Sequence, residues 1–197
     1  MAAADAGEPD VSMPDGLTLR DPDPTPEDDP SLPAVEPDER SVGAYIFNQY
    51  KVIPPKVQLE AVVLDFDRED EVLARVVFDP GSARPYQWLL LLDKRGERHR
   101  VLAEWASLGV DADVRVFSHG RGERALLVIE SHGGGASRFE MWTLEASGRL
   151  EARGKVVGAE GEVRVDMSRG LPAVQSGARR FQVMYTPRSF VLKEVTR

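Results

Sequence analysis

From residue 57 onward apolar side chains recur with a period of two, the spacing that places alternate residues on one face of a strand. Val57, Leu59 and Ala61 alternate with Gln58 and Glu60 before the run turns apolar at Val62-Val63-Leu64, and residues 72–78 behave similarly. The same reasoning predicts strands at 86–92, 114–117, 125–130, 139–144, 163–165, 181–185 and 190–195. Turn chemistry separates them, as in Lys94-Arg95-Gly96, Gly120-Arg121-Gly122 and Ser147-Gly148. The fold class expected is all-β, with antiparallel sheets arranged as propeller-like blades or as an open β-sandwich. One segment carries a competing period: Val101, Leu102, Trp105 and Leu108 fall at helical spacing and Gly109 stands where a helix would be capped. A short helix near 97–108 therefore competes with a strand there.

The first 40 residues follow neither period. They hold 12 acidic and two basic residues and eight of the chain's 14 prolines, so the net charge of −8 belongs to this segment and residues 41–197 are close to neutral. Such a composition buries too little apolar surface to offset chain entropy, which predicts a disordered acidic tail, residues 1–40, ahead of a single β domain, residues 41–197. The tail serves as a solvated spacer, or as an arm that docks on a basic partner or on the domain itself.

Met1-Ala2-Ala3-Ala4-Asp5 lacks the basic and apolar regions of an export signal. Cytoplasmic residence is one expectation. The other is a periplasmic or cell-surface location in a bacterium, because residues 4–10 resemble the Ala/Asp/Gly/Pro-rich spacers that follow the lipid-anchored cysteine of envelope lipoproteins. No apolar run approaches the 18 residues of a transmembrane helix, so any membrane attachment expected is a lipid anchor.

Self-comparison shows an internal repeat. A shift of 52 lays Glu71-Val72-Leu73-Ala74-Arg75-Val76-Val77 over Glu123-Arg124-Ala125-Leu126-Leu127-Val128-Ile129, and a shift of 42 lays Arg138-Phe139 over Arg180-Phe181 and Leu150 over Leu192. The repeat favours a strand at 97–108. Each unit reads as a turn, an apolar strand, a Gly-containing loop, an aromatic strand, a short turn and an outgoing strand, the order of a four-stranded blade. Over residues 57–197 the units resemble the FG-GAP or VCBS type of β-propeller repeat. That resemblance implies residence outside the cytoplasm, a binding or scaffolding role rather than catalysis, and a calcium loop. Asp65, Asp67 and Glu69 match its acidic positions, whereas Asp70 replaces the usual Gly and the two later loops lack the ligands. Three units are fewer than the four blades a closed propeller needs, so the chain borrows a blade from residues 44–63, oligomerises, or forms an open sandwich.

Chemistry elsewhere is sparse. The absence of Cys excludes disulfides, thiolate metal sites and cysteine nucleophiles, and the three histidines have no ligand spacing. His132-Gly133-Gly134-Gly135 matches an oxyanion-hole tetrapeptide of some esterases, but no Gly-x-Ser-x-Gly accompanies it. No enzymatic activity is expected, and no cofactor beyond calcium at the acidic loop. The near-neutral domain also argues against nucleic acid as a partner.

A protein partner is expected instead, at two places. Tyr45, Phe47 and Tyr50, with Ile46 and Val52, precede Pro54-Pro55 as a closing strand or a partner-facing segment. Arg95 and Arg98, with Arg179 and Arg180, occupy turns of different units and supply a basic edge for an acidic partner or for the tail. The function expected is that of a non-enzymatic, envelope-associated accessory or protein-interaction subunit on a disordered tether. The alternative is a calcium-dependent or carbohydrate-binding β module.

Overall fold

The computed structural model describes residues 29–54, 56–64, 71–78, 86–109, 112–117, 125–133, 135–145, 147–167, 170–186 and 189–195. Among the described residues one helix, α1 (Glu39–Tyr50), precedes twelve strands. The first four are β1 (Lys56–Val62), β2 (Glu71–Phe78), β3 (Tyr86–Arg95) and β4 (Arg98–Gly109), and they form one antiparallel sheet in chain order. The second sheet contains β5 (Asp113–Phe117), β6 (Leu126–Gly133), β7 (Ala136–Leu144) and β8 (Leu150–Ala159), and the third β9 (Val163–Asp166), β10 (Ala173–Ser176), β11 (Arg179–Tyr185) and β12 (Phe190–Glu194). All pairings are antiparallel between chain neighbours, so each sheet is a meander with local register. The all-β expectation holds.

The sheets are layered through three apolar clusters. Leu73, Leu89, Leu91 and Trp105 of the first sheet pack on Leu127, Ile129 and Leu144 of the second. Leu126, Val128, Phe139 and Met141 leave the opposite face of the second sheet and pack on Val163, Val174, Val183 and Phe190 of the third. Val42 and Ile46 of α1, with Val35, cover the other face of the first sheet over Ala74, Val76, Leu90 and Leu92. Leu89 to Leu92 and Ala125 to Ile129 are continuously apolar because their sheets have a packed layer on both sides. Strands of the third sheet keep the alternation Phe181-Gln182-Val183-Met184-Tyr185 because described residues pack on only one of its faces.

Residues 97–108 do not form the short helix that competed for them. His99 to Gly109 pair along β3, and the helical spacing of Val101, Trp105 and Leu108 is accommodated by bulges between Gln87 and Leu89 and between Leu91 and Leu92. The helix lies earlier, where a closing strand was one expectation. Asp38 caps α1 by accepting from the Ser41 N–H at 2.9 Å and from the Ser41 hydroxyl at 2.6 Å, and this hydrogen bonding holds its carboxyl below the usual range. Lys51 ends the helix in the left-handed conformation, φ 59°, with its N–H on the Phe47 carbonyl.

Packing extends N-terminal to residue 41. The Val35 N–H donates to the His99 carbonyl at 3.0 Å and the Val101 N–H to the Pro33 carbonyl at 2.9 Å, so residues 33–35 lie along the outer edge of β4.

Candidate protein-interaction surface

Helix α1 is fastened to the first sheet by an acid that serves two phenols. The hydroxyls of Tyr45 and Tyr50 donate to the two carboxylate oxygens of Glu104 on β4. Tyr50 also sets its ring edge-on to Trp88, with centroids 4.2 Å apart. Burial, followed by the bond to Glu104, raises the Tyr45 pKa above the ordinary phenol value, and for Tyr50 the Glu104 bond comes first and pushes the value up to about 12. Two of the three aromatics singled out by sequence thus spend their hydroxyls on Glu104, although Tyr50 keeps 41% of its surface exposed.

The third does not. Phe47 is 45% exposed, and Ile53, in the segment leading from α1 to β1, is 78% exposed. They border a groove of about 640 Å³ between α1 and β1, with Gly43 on its helical side and Glu39, Arg40 and Lys56 contributing charge. The Lys51 ammonium sits 5.8 Å from the Phe47 ring centroid. Pro54 fixes the exit of the segment beside Gly43, where a Cβ would stand 3.7 Å from the proline Cγ. A second, more polar hollow lies on the other side of α1, between it and residues 33–36, and Arg98 lines it.

The structure does not gather the four arginines into one edge. Arg95 is 5% exposed, its Nε 2.7 Å from the Asp93 carboxylate and its Nη2 donating to the Gly148 carbonyl, so it staples the β3–β4 turn to the β7–β8 turn. Arg98 faces the hollow beside α1. Arg179 forks onto Glu194 at 3.0 and 2.8 Å and lies 4.8 Å from the Phe181 centroid. Arg180 is exposed on the third sheet.

Asp65, Asp67 and Glu69 lie outside the described residues. Among the described residues no group of three or more His, Asp or Glu is placed to hold a metal ion. His132 has its Nε2 3.1 Å from Glu130 on the same strand, and His99 is 3.6 Å from Glu36. Sequence reasoning missed Ile53, Gly43 and Glu104. The helical spacing of Val42, Tyr45 and Ile46 behind Asp38 would have revealed α1, and with it the outward position of Phe47.

No protein-family model, no curated protein and no solved structure matches this chain. No helix among the described residues is long and apolar enough to cross a membrane.

Proposed function

We propose that this chain is a non-enzymatic protein-interaction subunit, held at a bacterial envelope on its acidic leader, and that it engages a partner protein through the groove between α1 and β1. The observation that carries this reading is the pair Phe47 and Ile53, two large apolar side chains left in solvent at the rim of a concave surface. Exposed apolar residues are unremarkable singly, but an aromatic and an aliphatic residue flanking a groove with charges at its rim have the make-up of a docking hot spot. Arg40 and Lys56 outnumber Glu39 there, which suits a partner segment that inserts an apolar side chain and places a carboxylate beside it. The envelope assignment draws its support from the leader's resemblance to lipoprotein spacers. The shifts of 52 and 42 residues relate strands at the same position in successive sheets, which supports the reading of the chain as degenerate blades resembling FG-GAP or VCBS repeats.

A photoreactive amino acid placed at Phe47 or Ile53 of the full chain, in cells of its own organism, tests the groove, with the same group at exposed Val157 on β8 as comparison. One protein joined from both groove positions, absent from Val157 and lost in the Ile53→Glu chain, is the expected outcome. Equal products from all three positions, or none, would end the proposal. Fractionation of the same cells reports on the envelope.

A further inference from the structure

The first sheet is covered on its outer face by α1, and the second is packed on both faces. The third sheet has one face without a described layer. Strand alternation places Arg164, Arg180 and Lys193 on that face, since their neighbours Val163, Phe181 and Leu192 point into the core. Met184 and Val191, paired across β11 and β12, and Val195 at its edge are also there, 42%, 39% and 41% exposed. The three cations make no ion pair with a described residue, and Asp166 is the one acid among the described residues of that face.

We infer that the chain's own acidic leader, within residues 5–28, docks in extended form on this outward face of the third sheet. Residues 1–28 hold eight acidic residues and one basic, which complements three unpaired cations. They also contain Val11 and Met13, and Leu17 and Leu19, apolar pairs spaced at two that an extended strand would present to Met184, Val191 and Val195. The leader joins the described chain at Asp29, whose carboxyl is held low chiefly by the Ser31 hydroxyl and N–H and further by Arg95 and Arg100 near the β3–β4 turn. Two sheet spacings of roughly 10 Å each separate the first sheet from the third. Residues 20–28, extended at roughly 3.3 Å apiece, would span roughly 30 Å, more than those two spacings, which puts the face within reach of Leu17 and Leu19. This contact is independent of the α1 groove, which stays open to a partner.

Because the protein contains no Cys, a nitroxide on Ser12→Cys labels the full chain at one position. In isotope-labelled protein at low salt, the amides of Met184 and Val191 should lose most of their intensity to the label and recover it when salt is raised to about 0.5 M, where the Debye length falls to about 4 Å. Arg180→Glu/Lys193→Glu should likewise restore the intensity; the salt experiment on the otherwise unaltered chain keeps the test valid if that variant melts early. Broadening that survives both treatments would overturn the inference, as would broadening centred on α1 or none on the third sheet. Broadening of isotope-labelled, label-free chains by an added spin-labelled chain would make a second copy the occupant and also overturn it.

Discussion

Gly109 on β4 lies with its Cα against the carbonyl group of His132 on β6, so close that a Cβ there would stand 1.6 Å from the carbonyl oxygen and 2.6 Å from its carbon. The first and second sheets meet backbone to backbone at this point. The Gly109 N–H donates to the Ser131 hydroxyl at 3.0 Å, and its carbonyl accepts from the Gln87 amide at 2.7 Å. The atoms a Cβ would strike are His132 backbone, which cannot yield as a flexible side chain could. Gly109→Ala should therefore destabilise the protein by about 3 kcal/mol or more, read by denaturant unfolding. A midpoint unchanged from that of the parent chain would show that the sheets can separate locally at no cost.

Glu104 is the shared acceptor of Tyr45 and Tyr50, so Glu104→Ala strands two hydroxyls at once, one of them part-buried. A loss of about 1–3 kcal/mol is expected. Helix α1 should be the element released, with hydrogen exchange rising at Val42 and Ile46 before it rises in the sheets.

The same pair sets a dependence on alkaline pH. Both phenols have folded pKa values above the ordinary value of about 10, so the stability they contribute is fully present below that value. It is lost as pH rises toward and through about 12 for Tyr50, and higher for Tyr45. Tyrosinate absorbance compared between the parent chain and its Tyr45→Phe and Tyr50→Phe variants should assign two late ionisations. Glu104→Ala should bring both down. Ordinary titration of Tyr50 in the folded parent chain would contradict the hydrogen bond.

Arg95 joins two turns and pairs with a buried acid, so Arg95→Met should cost about 3 kcal/mol by removing both the cation beside Asp93 and the bond to Gly148. Adding Asp93→Asn should recover part of that loss. A double variant no more stable than the single one would mean that the bond to Gly148, not the charge pair, is what matters.

Gly43 sits inside α1, where alanine is the better helix former, and the space for a Cβ is ordinary van der Waals room. Gly43→Ala should raise stability by about 0.5–1 kcal/mol while narrowing the groove. Stability up with cross-linking from Phe47 down is the expected combination. If both rise, the groove wall plays no part in docking.

Much of the sheet order was legible because hairpin-linked strands pair with their chain neighbours, and the Gly-marked turns gave most of the boundaries. Strand β10 escaped notice, and β8 was placed only as the outgoing strand of a repeat unit, since Ala173–Ser176 is too short and Leu150–Ala159 too polar to raise a period of its own. Their pairing comes from β7, β9 and β11. Around the groove, the aromatic cluster at 45–50 was visible, and of its two readings the closing strand gives way to a helix. The spacing of Val42, Tyr45 and Ile46 was overlooked beside the prolines that flank the segment.

Two things were fixed by the chain's own pattern. One is the all-β class, because period-two alternation is a local property of the backbone. The other is which strands are packed on both faces, written in the contrast between the unbroken apolar runs at Leu89 and Ala125 and the alternation in residues 181–185, since only a sheet covered on both faces tolerates the former. What tertiary structure decided was the fate of individual polar and aromatic side chains. Arg95 and Arg180 are equal in sequence, yet one is buried against Asp93 and the other stands in solvent. Tyr50 and Phe47 share a helix, yet one turns to Glu104 and the other to the groove. Burial and partner depend on which distant strand arrives opposite a residue, and no local period encodes that.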